Sequence, residues 1–430
     1  MGVDFQWRTG DAELLPGPPE PPRRRRGAGR WLLIGLVVLL VPGGLVAWRA
    51  GWGARAARAD IERLVREEVA ALQGEQLAVF MSLIEATPLA WRRYHEQSFF
   101  REAAWYAARA RARPRVERIR LAPGAASADI VLSDGTHTWR GTWYFERLDE
   151  RWYHVPPPAD FWGQSRAVET AHVYVSAHTP DHAAAVRLAE ELEALYQELA
   201  RTYGLVELPG AGAAPSTAGL PRQIAVHIVP DAAGSMNMRA MGTTRQWSYD
   251  CPSPYLALEL WTPQEREAYL GRSVRAAVAS HLVTYGAAAR SGSGYTLLQG
   301  LALWHARAWQ PAWQRYVRES LSEGTWELFL ALWGGDQVPE ERMRELYMRF
   351  SVPYELGEWV TAMAYTAGEY LGNRFSTDQL ASLVAATARY SSFWAAAEAE
   401  LGLDRSELEA EWLAHLRARY GGSGSADEQG

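Results

Sequence analysis

An unbroken run of 18 apolar residues, Trp31 to Trp48, constrains this chain more than any other feature. A helix of that length covers roughly 27 Å at about 1.5 Å per residue, close to the ~30 Å hydrocarbon thickness of a bilayer. The run has no polar face, whereas a helix that packs on a globular core has one. The sequence therefore predicts a single N-terminal transmembrane helix at residues 31–48.

Positive charge predicts how this helix is oriented. Five arginines lie just before it, Arg23 to Arg26 and Arg30, and arginine is retained on the cytoplasmic side. Arginines also follow the run, so the orientation depends on the dense block of four. We expect a single-pass protein of the cell membrane with a cytoplasmic N-terminus, extracytoplasmic C-terminal domains and the lipid bilayer as a partner. A cleaved secretory signal is the alternative, because Ala54, Arg55 and Ala56 resemble a cleavage site.

Composition excludes one class of partner and limits the sources of stability. A net charge of −6 supplies no clustered basic surface, so we predict no nucleic-acid partner. Cys251 is the only cysteine, which rules out an intrachain disulfide. It falls in the turn-rich segment Tyr249 to Pro254, so we expect an unpaired loop thiol. The 20 Trp, 19 Tyr and 10 Phe must then stabilise the fold by packing. The pattern leaves the oligomeric state open.

Hydrophobic periodicity predicts helices and then strands after residue 58. Residues 1–30 (cytoplasmic) and 421–430 are predicted to be disordered tails. Helical spacing runs from Ile61 to Leu72, and helices are expected at Leu77 to Ile84 and Trp91 to Ala110. The period then changes to two, with turns at residues 134–135 and 149–150. Four strands are predicted, at Arg115 to Ala122, Ala128 to Leu132, Thr136 to Leu148 and Trp152 to Val155.

The order of these elements, together with the segment Trp143 to Val155, resembles the NTF2-like cone fold over residues 58–163. The resemblance implies an α+β domain. That fold hosts enzymes, ligand binders and inert spacers alike, so it does not by itself indicate a function. No Asp, Glu or His can be assigned to a pocket from the sequence. We therefore interpret this part as a packing module rather than an enzyme.

A second unit begins with a predicted strand at Ala171 to Ala177 and a helix at Pro180 to Tyr203, with Thr179 as its N-cap. His178 and His182 are four residues apart, which suggests a metal site, but Pro180 interrupts the helix between them, so we interpret them as flanking a helix start. Further strands are predicted at Gln223 to Val229 and Tyr255 to Leu260. From Thr262 onward the pattern is almost entirely helical.

Several segments of this unit resemble the peptidase-MA-like gluzincin metallopeptidases over residues 168–420. The resemblance implies a mostly helical domain with a small N-terminal sheet, in which a His-Glu-x-x-His helix supplies two zinc ligands and a general base. The segments are residues 279–285 (ASHLVTY), 297–305 (LLQGLALWH), 364–371 (AYTAGEYL), 393–397 (FWAAA) and 401–412 (LGLDRSELEAEW).

This chain departs from the family's zinc motif in either alignment. One alignment places Ser280 at the first histidine, His281 at the glutamate and Thr284 at the second histidine. The other places His281, Leu282 and Tyr285 at those positions. Neither alignment preserves the pair of histidines and the base that the chemistry requires.

The remaining positions of the site are also altered. Gln299 stands where the family has its third ligand, a glutamate, and a neutral amide is a poor ligand for zinc. Tyr365 stands where such enzymes sometimes place a transition-state donor, although it and Tyr370 are equally explained as packed aromatics. His281 and His305 are interpreted as hydrogen-bonded core histidines. Residues 406–409 are predicted to form a capping box, with Leu408, Trp412, His415 and Leu416 on one buried face.

These observations predict a membrane-anchored pseudopeptidase with no catalytic residue, metal or cofactor. Its expected work is binding or scaffolding, with a peptide or a cell-surface ligand as partner. The alternative is a membrane-bound hydrolase with a rearranged site around His281, Gln299 and Tyr365. The predicted fold class is α+β, with a transmembrane helix, an NTF2-like cone and a mostly helical gluzincin-like domain.

Overall fold

The computed structural model describes residues 53–204, 223–230, 237–240, 246–286, 295–310, 312–334, 340–341, 344, 353–390 and 392–421. The chain divides into two units, residues 1–59 and residues 60–430. The second unit is an α+β structure that contains two separate sheets. The α+β part of the predicted fold class is therefore confirmed.

Three helices and a four-stranded antiparallel sheet come first. The helices are residues 53–73 (α1), Leu77–Leu83 (α2) and Leu89–Ala107 (α3), and the strands are Arg113–Ala122 (β1), Ala125–Ser133 (β2), Thr138–Leu148 (β3) and Arg151–Val155 (β4), in the order β1-β2-β3-β4. Side chains alternate across a sheet, so Ala128, Ile130 and Leu132 of β2 share one face. They are fully buried with apolar residues of α1 and α3 in what we call the first core.

The second sheet is mixed and has five strands. A short helix, Ala159–Trp162 (α4), precedes Ser165–Glu169 (β5), Val173–His178 (β6), Gln223–Val229 (β7), Asn237–Ala240 (β8) and Gln246–Pro252 (β9), which lie in the order β5-β6-β7-β9-β8. The three central strands β6, β7 and β9 are parallel, and both edge strands are antiparallel to their neighbours. A long amphipathic helix, His182–Tyr203 (α5), packs Leu188, Leu192 and Leu199 into the core of this sheet.

Helices make up most of the described chain after residue 262. They are Pro263–Gly286 (α6), Tyr295–His305 (α7), Trp313–Glu323 (α8), Trp326–Gly334 (α9), Pro353–Arg374 (α10), Thr377–Ala386 (α11), Phe393–Leu401 (α12) and Arg405–Tyr420 (α13). The predicted helical pattern from Thr262 onward is therefore confirmed for the described residues. Leu408, Trp412 and Leu416 of α13 are fully buried, as their spacing predicts.

Two glycines let α7 and α10 approach almost backbone to backbone. A Cβ placed on Gly300 would lie 2.2 Å from the carbonyl oxygen of Ala364, and one on Gly368 would lie 2.1 Å from the carbonyl oxygen of Gly300. No side chain larger than hydrogen fits either position without moving a helix. The pair therefore fixes how the helix that carries Gln299 lies against the helix that carries Tyr365.

The structure does not support the predicted transmembrane helix. Residues 31–48 lie outside the described part of the chain, and none of the helices that are described is both long and apolar enough to cross a membrane. The longest one, α6, contains Glu265, Arg266, Glu267, Arg272 and Arg275. The strongly apolar α9 has only 9 residues, which makes it about 13 Å long against the ~30 Å that a bilayer requires.

The strand predicted at Tyr255 to Leu260 is wrong. Only a short 3-10 turn, Pro254–Leu256, is regular there, and residues 256–261 run without strand pairing as what we call the insertion segment. Leu258 and Leu260 enter the first core, and Leu260 occupies the space left free by Gly141 of β3. The leucines do alternate in the sequence, but they alternate because Leu258 and Leu260 both enter the first core, not because the segment is a strand.

Three local predictions also need correction. Cys251 lies in strand β9 and is buried, not in a turn-rich loop. The hydroxyl of Thr179 donates to the carbonyl of Gln164 instead of capping a helix, because a 3-10 turn over residues 179–181 precedes α5. The capping box of α13 uses Asp404 and Glu407, two residues before the predicted one.

Candidate functional site

The six positions that sequence analysis compared with a zinc motif lie on three helices that pack side by side. Helix α7 contacts both α6 and α10. The positions on α6 are Ser280, His281, Thr284 and Tyr285, with Gln299 on α7 and Tyr365 on α10. The side chain of Tyr285 lies outside the described part of the structure.

The side chain of His281, on α6, contacts the second sheet. Its Nδ1 lies 3.0 Å from the hydroxyl oxygen of Tyr249 on β9, whose ring is fully buried. The ring of Trp247 meets the imidazole edge to face at 6.3 Å. Burial lowers the pKa of His281, although a backbone hydrogen bond to Ala277 acts in the opposite direction. The imidazole is therefore neutral near pH 7 and is fixed by aromatic residues of the sheet.

The neighbouring positions do not complete a ligand set around His281. Thr284 is buried, and its hydroxyl has no hydrogen-bond partner among the described residues. Gln299 is partly buried on α7. In the described ranges, no group of three His, Cys, Asp or Glu side chains is arranged to hold a metal ion. The hydroxyl of Thr284 and the amide of Gln299 are poor ligands for zinc, which prefers imidazole, thiolate and carboxylate.

Tyr365 belongs to an aromatic cluster. Its ring centroid lies 5.2 Å from that of Trp309 and 6.0 Å from that of Trp313, and the ring centroid of Tyr420 lies 5.0 Å from that of Trp309. Burial, followed by the charge of Glu369, raises the pKa of Tyr365 to about 12. The phenol therefore stays protonated at neutral pH and lies in a packed aromatic environment.

Glu369 of α10 forms hydrogen bonds with two residues of α13. The hydroxyl of Tyr420 donates to its Oε2 at 2.7 Å, and His415 Nε2 lies 3.1 Å from the same oxygen. Burial alone would raise the pKa of Glu369, but the hydrogen bonds from His415 and Tyr420 outweigh burial and lower it. Sequence analysis did not identify Glu369 as an ionised residue that connects two helices. Its position between two tyrosines in residues 365–370 was a signal that could have indicated this.

A cavity of about 480 Å³ lies between α5, α6 and the segment after α7, and we call it the arginine cavity. Two glutamates, Glu191 and Glu267, face it, and Leu188 and Trp309 add apolar wall. Its four arginines are Arg187, Arg272, Arg275 and Arg307.

Ion pairs inside the arginine cavity leave two arginines without a counter-ion. Arg187 pairs with Glu267, and Arg275 Nη1 lies 2.7 Å from Oε2 of Glu191. Arg272 and Arg307 pair with no carboxylate that the structure describes. Burial and the nearby charge of Arg275 lower the pKa of Arg272. Sequence analysis missed this site, although charges spaced three and four residues apart on α5 and α6 were a usable signal.

The first core contains two buried histidine–glutamate pairs. His95 Nδ1 lies 3.1 Å from Glu102 on α3, and His154 Nδ1 on β4 lies 2.9 Å from Glu68 on α1. The indole of Trp91 lies against both imidazoles, at centroid distances of 4.1 Å and 5.6 Å. Each carboxylate therefore has an imidazole partner, whereas Glu68 Oε1 and His95 Nε2 are buried without a hydrogen-bond partner among the described residues.

The insertion segment completes this buried network from the other half of the unit. Arg101 Nε donates to Oε1 of Glu259 at 3.0 Å, and the hydroxyl of Tyr106 donates to the carbonyl of Leu258 at 2.7 Å. Burial raises the pKa of Glu259, although the charge of Arg101 opposes this. The interior of the first core is therefore filled by the chain itself, and a second cavity of about 440 Å³ remains at its edge, beside Gly141.

Comparisons with known proteins find no relative. No protein-family model matches the chain, and neither a curated protein nor a solved structure is similar to it at a significant level.

Proposed function

We propose that this chain is a non-catalytic binding protein, in which a metallopeptidase-like arrangement of helices carries no metal site. The surroundings of His281 are the observation that supports this most directly. A single neutral imidazole lies between Tyr249 and Trp247, and the two other ligand positions carry a hydroxyl or phenol and an amide. Such a set lacks the three strong donors that retain zinc.

The binding part of the proposal is supported by the arginine cavity. Its volume of about 480 Å³ falls within the range of small-molecule sites. Unpaired guanidinium groups in a concave site attract an anionic partner, because they remain charged at all physiological pH values. Leu258 and Leu260 fill the interior of the first core, and the cavity of about 440 Å³ at its edge has three carboxylates against two arginines among its lining residues.

Metal analysis of the purified full-length chain tests the absence of a zinc site. We expect substoichiometric zinc in the wild type, no change in His281→Gln, and no hydrolysis of an unstructured protein substrate. His305→Gln is the matched control, because His305 is also a partly buried histidine held by a tyrosine, with Nε2 3.0 Å from the hydroxyl of Tyr203. Stoichiometric zinc that disappears in His281→Gln but not in His305→Gln contradicts the proposal.

The alternative function is a hydrolase with a rearranged site at His281, Gln299 and Tyr365. It requires activity that falls in Tyr365→Phe and His281→Gln alike. The aromatic packing of Tyr365 against Trp309 and its raised pKa argue against a role as proton donor. Hydrolysis that is lost in both variants, while their thermal unfolding stays unchanged, favours this alternative instead.

A further inference from the structure

We propose that the arginine cavity binds a small dianionic ligand, whose oxygen atoms are held by Arg272 and Arg307 and whose body lies against Trp309. This inference rests on the proposed function, because it names the ligand class of a binding protein. It concerns a part of α6 different from the one that carries His281, since Arg272 lies in the first half of that helix.

The charge balance of the cavity favours an anion. Four arginines face two glutamates there, and both glutamates already have an arginine partner, Arg187 for Glu267 and Arg275 for Glu191. Two positive charges therefore remain, those of Arg272 and Arg307. Arg272 is half-buried and Arg307 is exposed. Like charges that line one concave site repel one another, and a bound dianion removes that repulsion.

The donors that would hold the anion are already in place. Arg272 and Arg307 have no hydrogen bond or ion pair to the residues that the structure describes, so their N–H groups are available. Arg275 adds a third donor, because its Nε is buried and has no partner. Gly271 leaves room for Glu191, since a Cβ there would lie only 3.2 Å from Glu191 Oε2. That same oxygen lies 2.7 Å from Nη1 of Arg275.

The shape and lining of the cavity indicate a small ligand. Its ~480 Å³ holds a compact organic molecule but no folded partner. One guanidinium group can donate two parallel hydrogen bonds to two oxygens of a carboxylate or phosphate. Both a dicarboxylate and a phosphate therefore fit these donors. Trp309 and Leu188 supply an apolar wall for the rest of the ligand. A monoanion satisfies only one of the two charges.

Titration calorimetry on the full-length chain tests this inference. Inorganic phosphate at pH 8 and succinate are the dianionic probes, and acetate is the monoanion, all at low ionic strength. We expect at least one dianion to bind roughly tenfold or more tightly than acetate, and Arg272→Gln and Arg307→Gln each to weaken that binding by a similar factor. Phosphate without succinate identifies a phosphate-bearing ligand, and the reverse identifies a dicarboxylate.

A matched control separates a site from general electrostatic attraction. Arg201→Gln removes the same charge from α5, but at an exposed position outside the cavity, and we expect it to bind the dianion like the wild type. Arg272→Gln should also melt no lower than the wild type without ligand, because it removes repulsion from Arg275, while losing the shift in melting temperature that the dianion causes. Such a pattern is not expected of a purely structural arginine.

Two results overturn the inference. One is that neither dianion binds more tightly than acetate, and the other is that Arg201→Gln weakens binding as much as Arg272→Gln does. Either leaves the proposal about His281 intact. Conversely, zinc bound at His281 ends the pseudopeptidase proposal without affecting anion binding in the cavity.

Discussion

Replacing Gly368 with alanine is the sharpest test of how closely α7 and α10 pack. The new Cβ would lie 2.1 Å from the carbonyl oxygen of Gly300, 2.2 Å from its carbonyl carbon and 2.7 Å from the amide nitrogen of Leu301. All three atoms belong to the backbone, so no side-chain rotation relieves the contact. The helices must therefore move apart by roughly 1 Å to reach an ordinary separation.

The cost of that movement follows from what the crossing buries. Leu301, Ala302, Ala364 and Leu371 are all fully buried on the two helices, and a gap of about 0.5–1 Å forfeits roughly a quarter to a half of the attraction between atoms in contact. Overpacking of a core costs about 1–3 kcal/mol, and a rigid backbone obstacle belongs at the upper end. After about 1 kcal/mol is returned by the better helix propensity of alanine, we expect a net loss of about 2 kcal/mol.

Urea and thermal unfolding, followed by circular dichroism, measure this loss. Gly357→Ala is the control, since Gly357 lies on the same helix and a Cβ there meets nothing within 4 Å; we expect it to gain about 0.5–1 kcal/mol. Because the unfolding entropy grows with the size of the unit, Gly368→Ala should melt about 2–3 °C below the wild type. An unchanged or raised melting temperature for Gly368→Ala shows that the two helices can separate at no cost and refutes the reasoning.

Three further predictions concern buried groups. Burial raises the pKa of Asp181 from 3.8 to about 6, so the native state holds this proton more tightly and stability falls as pH rises from about 4 to 6. Asp181→Asn should remove that slope and be more stable at pH 7.5 by up to about 3 kcal/mol, measured as urea midpoints; equal slopes contradict this. The pKa of Glu369 is lowered, so its contribution is present above pH ~4.5 and lost as pH falls below that. Glu369→Gln should therefore cost about 1 kcal/mol at pH 7 and nothing near pH 3, and a pH-independent cost argues against an ionised Glu369. Leu260→Ala should cost about 2–4 kcal/mol, whereas Leu89→Ala, at a position that is 53% exposed, should cost almost nothing; similar unfolding midpoints would mean that the insertion segment does not pack.

Local sequence signals predicted the first sheet well. Asp149 and Glu150 indicated the turn between β3 and β4. Their φ values are positive, 45° and 66°, as a two-residue hairpin turn requires. Alternation located the strands because one face of that sheet is buried. The histidines at 281 and 305 were likewise expected to be hydrogen-bonded, and both are.

Long-range packing was beyond what these patterns could show. Residues 255–260 alternate like a strand, but the cavity that Leu258 and Leu260 fill is built by residues more than 100 positions earlier in the chain. The charged Glu259 between them was the one local sign of something unusual, and it marks the ion pair with Arg101. The arginine cavity could not be predicted for the same reason, because its lining residues come from three separate segments of the chain.

The insertion segment also determines when the first core can be completed during synthesis. Strand β4 ends at Val155, and the segment emerges from the ribosome about 100 residues later, roughly 5–20 s at usual elongation rates. Throughout that interval the nascent chain carries the guanidinium of Arg101 and the hydroxyl of Tyr106 without their partners from Glu259 and Leu258. The first core therefore cannot form all of its native contacts until the insertion segment has been synthesised.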